Sequence, residues 1–169
     1  MVISRPRRRR IELIIAVLNG VIDPKLLKGF SGKLIVQKIA YLLQEAFGVN
    51  LGVKFVWHSY GPYSFEIAKD YRLIYDIYLA NTKMNHLAEQ YSDMLSDFKE
   101  FLGKVKQELV SSEEEIGYWL EIIASLYMLS KKIYPPPEDL VDELLERKPY
   151  VSRHDVVRAL RFLKKEGLL

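Results

Sequence analysis

Four basic side chains near the end of the chain share a spacing that suits phosphate. His154, Arg158, Arg161 and Lys165 recur at i, i+4, i+7 and i+11. At about 100° per residue they fall within about 60° of one another on a helix. Val156, Leu160 and Leu163 fall on the opposite side. A helix with one apolar and one basic stripe, preceded by a short helix and a tight turn, has the pattern of a helix-turn-helix recognition helix. Arginine offers a planar fork of donors to phosphate or guanine edges. The same pattern suits a solvated outer face whose bases complement the helix dipole. A second basic run opens the chain, with Arg5, Arg7, Arg8, Arg9 and Arg10 and no acid in the first ten residues. It can lie along phosphates or in a minor groove, or serve as a disordered solubilising end.

A different chemistry is available at Trp57-His58-Ser59-Tyr60-Gly61-Pro62-Tyr63-Ser64. Val53, Phe55 and Trp57 alternate with Lys54, Val56 and His58, which is strand periodicity. Gly61-Pro62 then breaks the strand, and Ser64 opens a helix. Tyr60, Gly61, Pro62 and Tyr63 form a candidate interaction surface, whose aromatic rings can stack on a base or hold an apolar anchor. Trp57 and Phe65 are expected to pack inward instead.

No arrangement for catalysis is visible. His58, His86 and His154 lack carboxylate partners at metal-ligand spacing. Glu113-Glu114-Glu115 suits a helix N-terminus rather than an acid–base pair. No serine stands in a nucleophile elbow, and no glycine run forms a phosphate loop. The chain has no cysteine, which excludes disulfides, zinc–thiolate sites and iron–sulfur clusters. No metal or other cofactor is implied, and the expected function is non-enzymatic.

These side chains must be positioned by a chain of 169 residues, enough for one ordinary domain. The net charge of +3 conceals a strong asymmetry. Residues 82–146 carry fourteen acids against six bases, whereas 147–169 carry seven bases against two acids. The basic ends can meet phosphate, and the acidic middle would repel it. Residues 1–22 imitate a signal peptide, but Glu12 interrupts the apolar run and no small-x-small site follows Asn19-Gly20. The expectation is a cytoplasmic protein that does not enter a membrane.

The periodicity predicts helices over about 9–19, 31–46, 84–109 and 138–147, one from Ser64 with its apolar face reaching Tyr78, one from Ser112 with its apolar face reaching Tyr127, and a last one capped at Ser152 and ended by Gly167. Ile35, Ile39, Leu42, Leu43 and Ala46 make the core stripe of the second. Ser112 with Glu115, and Ser152 with Asp155, have capping-box spacing. The expected fold is mainly α with one small β element over about 53–58: a winged-helix-like helical domain ending in a helix-turn-helix-like pair. Residues 1–10 are expected as a basic flexible tail and 11–169 as a single compact domain. Its 11–81 half is winged-helix-like and its 82–169 half is helical.

Gln37-Lys38-Ile39-Ala40-Tyr41-Leu42-Leu43 together with Trp57 to Ser64 resembles the YwgA-like family of bacterial and archaeal proteins. It is more distantly similar to the Panacea domain of SocA-type antitoxins. The similarity covers about residues 31–80, and it implies a fold rather than a reaction. Two functions are therefore expected of the sequence. The first is nucleic-acid binding to duplex DNA through Arg7, Arg8, Arg9, Arg10, His154, Arg158, Arg161 and Lys165. The alternative is a protein-interaction module, antitoxin-like, that holds a protein partner at the aromatic turn. The oligomeric state stays open, a dimer included.

Overall fold

The computed structural model describes residues 2–80, 91–133, 135 and 137–169. Among them are seven α-helices and one two-stranded antiparallel sheet. The chain is thus mainly α with one small β element, as its periodicity predicts. His86 and the first part of the expected fourth helix lie outside the described residues.

Helix α1 (Arg5–Leu18) begins four residues earlier than expected. Pro6 suits the first helical turn because its missing N–H would be unbonded there. Downstream, Leu13, Ile14, Val17 and Leu18 are fully buried. The expected flexible tail is therefore largely helix. The physical reason is Asp70, whose carboxylate is wholly buried. Arg7 Nε and Arg10 Nε each stand 2.6 Å from one of its two oxygens. A buried carboxylate requires donors of this kind, and the two arginines thereby fix the basic run to the rest of the fold.

A 3-10 turn at Pro24–Leu27 leads into α2 (Gly29–Glu45). Gly32 lets α2 pass the turn, since a methyl group there would collide with the Leu27 carbonyl. Every residue from Ile35 to Leu43 is buried, so α2 is the central helix. Strands β1 (Val56–His58) and β2 (Gly61–Tyr63) pair with Trp57 opposite Pro62 and His58 opposite Gly61. Gly61-Pro62 is expected to break the strand, but it forms the second strand instead, and the turn is Ser59-Tyr60. Gly61 permits this with a φ of 88°.

Helix α3 (Phe65–Leu79) starts at Ser64, whose hydroxyl accepts the Ile67 N–H at 3.3 Å. Helices α4 (Ser92–Glu108) and α5 (Ile116–Lys132) follow, with α5 packed along α2. At Ser112 the capping box does not form. A 3-10 turn over Glu113–Glu115 leads into α5, and Glu115 accepts from the Ser111 N–H instead. The last pair is α6 (Leu140–Arg147), capped by Asp139, and α7 (Arg153–Lys165), capped by Ser152. Buried apolar residues from all seven helices form one contiguous cluster. Among the described residues, no helix is long and apolar enough to cross a membrane.

Replacing Asp70 by Ala should cost about 2–4 kcal/mol of stability, because two arginines lose their shared buried partner. Denaturant titration measures the loss, and faster amide exchange should be confined first to the start of α1. Unchanged exchange over residues 5–10 would show that the arginines do not hold this segment.

Candidate functional site

Gln37 and Lys38 interrupt the apolar interior of α2, and both are almost completely buried. Each has a specific task at the hairpin. Gln37 accepts the Ser64 N–H at 2.9 Å and donates back to the Ser64 carbonyl at 2.8 Å. Lys38 Nζ donates to the Pro62 carbonyl at 2.7 Å. The Gln-Lys pair of α2 and the Gly-Pro pair of the hairpin are thus two halves of one contact. On its other side the hairpin rests on α5. A methyl group on Gly61 would collide with Ser125 Oγ.

A second buried lysine completes the base of the hairpin. Lys148, just after α6, is fully buried. Its ammonium meets Glu121 Oε1 at 2.7 Å, the Ser59 carbonyl at 3.0 Å and the Tyr150 hydroxyl at 3.0 Å. The Tyr150 hydroxyl donates to the same Glu121 oxygen. Trp57 lies against this cluster, with the Arg147 guanidinium 5.4 Å and the Lys148 ammonium 5.5 Å from its ring centre. Of the two buried lysines, Lys148 alone bonds the buried carboxylate, whose charge Lys38 also feels. Lys38 forms no ion pair among the described residues. Burial pushes its pKa from 10.5 down to about 7; Glu121 opposes this shift and Lys148 adds to it. Burial also lowers the Lys148 pKa, against the pull of Glu121. The Tyr150 hydroxyl is raised by burial and by its bond to Glu121.

Above this base is a groove of about 270 Å³ between the hairpin and the starts of α2 and α3. Phe30, Tyr60, Tyr63 and Tyr71 supply its aromatic walls, and Lys33 and Lys38 its cations. Among the described residues, no carboxylate lines it. His58 stacks on Tyr63 with ring centres 4.9 Å apart. Phe30 meets Tyr60 edge-on at 4.9 Å. Among the described residues, the aromatic rings most open to solvent are Phe30 (59%), Tyr60 (41%), Phe65 (63%) and Tyr150 (54%). All four belong to this surface: Phe65 meets Tyr63 edge-on, and Tyr150 lies beside Tyr60. Phe65 is expected in the core and is instead exposed, because at helical spacing it falls opposite the buried Ile67, Tyr71 and Ile74 of α3. Such a concentration of exposed rings makes this surface the candidate site.

The residues expected to contact nucleic acid do not gather in the same way. Arg7 and Arg10 are occupied by Asp70, Arg8 pairs with Glu12 at 2.8 Å, and Arg9 donates to the Asn50 carbonyl at 3.2 Å. On α7, Arg158 donates to the Glu108 carbonyl at 3.0 Å and lies over Trp119. Lys165 pairs with the Glu108 carboxylate at 2.6 Å. His154 stands beside Asp155, and Arg161 is exposed. Of the aromatic-turn residues, Tyr60, Gly61 and Tyr63 line the groove, and Pro62 supplies the carbonyl held by Lys38. Sequence reasoning missed Phe30, Lys33, Glu121, Lys148 and Tyr150 as parts of this site. Lys148-Pro149 reads in sequence only as a helix stop.

Comparison with family models, curated proteins and solved structures returned no match.

The buried lysine makes stability depend on pH. Between about 7 and 10.5 the unfolded chain holds a proton on residue 38 that the folded chain has released. This group's contribution therefore makes stability rise with pH across that window, by at most about 1.4 kcal/mol per pH unit. Comparing urea unfolding of the wild type and Lys38→Met from pH 6 to 9 isolates it. The variant should be the flatter of the two, and parallel curves would show that Lys38 stays protonated throughout.

Proposed function

We propose that the chain is a protein-interaction module whose groove receives an apolar side chain of a partner polypeptide. The observation that carries this reading is the gathering of the exposed aromatic rings around one groove. Aromatic side chains are enriched at the energetically dominant positions of protein interfaces. The extent of the surface favours a polypeptide over a small molecule. A compound filling about 270 Å³ would leave Phe65 and Tyr150 uncovered. The more distant resemblance to an antitoxin domain points the same way.

Nucleic-acid binding has less support. Glu108 engages two of the four bases on α7, and Asp70 engages two of the arginines at the chain start. Duplex DNA binding at physiological salt with a log–log salt slope near about −3.6, the value for four phosphates, would reverse this order.

Panning phage-displayed random peptides on the immobilised chain tests the interaction reading. Enriched peptides should share a large apolar or aromatic residue and compete for one site. Phe30→Ser with Tyr60→Ser should weaken them at least about tenfold. The melting temperature should barely move, since both rings are exposed. Peptides that bind the double variant as well as the wild type, or no enrichment at all, would refute the reading.

A further inference from the structure

We infer that the groove recognises an acidic side chain set next to an apolar one in a continuous partner segment, with the carboxylate seated at Lys38. This inference rests on the interaction reading above and adds the chemistry of the ligand.

Charge balance carries it. Around Lys38 Nζ, α2 contributes Lys38 itself, α5 contributes Glu121, and the segment after α6 contributes Lys148 and Tyr150. The groove side adds Lys33 on α2 and His58 on β1. Glu121 is already bonded to Lys148 and Tyr150. Lys38 is left with a neutral carbonyl as its sole hydrogen-bond partner among the described residues. Buried ammonium groups normally have a counter-charge. Here, among the described residues, no carboxylate lines the groove to supply one. A ligand that brings a single negative charge gives the two buried lysines two carboxylates, and the exposed Lys33 at the groove mouth attracts the same charge. The aromatic walls beside Lys38 take the apolar neighbour of that acid. Since Phe65 and Tyr150 carry the aromatic surface past the groove at two points, the ligand chain continues beyond it rather than ending there.

The binding is coupled to a proton. In the free chain the amine of Lys38 is half protonated near pH 7. A bound carboxylate favours the ammonium, so binding above that pH takes up a proton and weakens as pH rises.

The probes are acetyl-Asp-Phe-amide, its neutral counterpart acetyl-Asn-Phe-amide, and acetyl-Phe with a free carboxylate. Titration of the isotope-labelled full chain by NMR should move the amide signals of Gly61, Tyr63 and Ile67. At pH 6 the Asp peptide should bind about tenfold more tightly than the Asn peptide, the scale of one charge-assisted hydrogen bond. Calorimetry at pH 8 in two buffers of different ionisation enthalpy should show proton uptake for the Asp peptide alone. In Lys38→Met the preference for the Asp over the Asn peptide should vanish. Lys33→Met, at the exposed mouth of the groove, should reduce the preference by less than Lys38→Met does. Equal binding of the Asp and Asn peptides to the wild type overturns the inference but leaves the groove reading to the peptide selection. Tighter binding of acetyl-Phe than of the Asp peptide overturns it in favour of a chain end. Loss of the preference in Lys33→Met rather than Lys38→Met overturns it in favour of the groove mouth. No groove shifts with any probe overturns it outright.

Discussion

The hairpin cannot hold its own shape, and the side chains of α2 and Lys148 do so for it. Strands of three residues make too few ladder bonds to be stable alone. Gln37 bonds both backbone groups of Ser64, Lys38 takes the Pro62 carbonyl, and Lys148 takes the Ser59 carbonyl. These bonds fix where the hairpin stops and where α3 starts, and Tyr60, Tyr63 and Phe65 are presented from that stretch. If these side chains were apolar, the interior would pack more cheaply, and the backbone of the hairpin would lose its buried partners. Lysine is well suited to this because its long stem crosses the apolar interior before the amine reaches an acceptor.

The charges are arranged so that the fold absorbs most of what the sequence displays. The chain looks basic at both ends and acidic in the middle, which suggests two phosphate-binding regions. Folding brings Asp70 against Arg7 and Arg10, and Glu108 against Arg158 and Lys165. Lys104 is similarly placed between Glu100 and Glu166. Coulombic attraction between segments far apart in sequence thus cancels much of the field that either end would project. Among the buried cations described, Lys38 is left without an ion pair, a charge beneath an aromatic groove in a far less hydrated place than the helix surfaces.

Local pattern made much of the fold legible, and the site was legible only in part. Helices α2, α5 and α7 carry apolar stripes at helical spacing, and the Ser64 and Ser152 caps are local chemistry. The start of α1 was not legible, since five arginines in ten residues read as a solvated tail unless a buried acid sixty residues away is known. The second strand was hidden because Gly-Pro ordinarily ends a strand. Here Pro62 lies on a two-stranded hairpin, and its missing N–H leaves no ladder bond to be filled. Tyr60 and Tyr63 could be singled out from the aromatic turn. Phe30, Glu121, Lys148 and Tyr150 could not, because each joins the site by long-range packing and none has a local signature.

The groove sits where the fold is least economical. Among the described residues the other buried charges are paired, Asp70 with Arg7 and Arg10 and Glu121 with Lys148. At Lys38 a charge that can be shed near neutral pH is kept inside, supported by one carbonyl. Core positions of this kind tend to drift toward apolar residues when stability alone is at stake, since replacing a buried charge by a hydrophobe of like size is often neutral or stabilising. Pro62 needs a donor, and a serine or glutamine reaching from another angle would provide one without an amine. A lysine at this position therefore costs stability that the hairpin contact alone does not require. That excess makes sense if the amine also serves whatever enters the groove, and the aromatic rings standing in solvent above it carry the same kind of cost for the same surface.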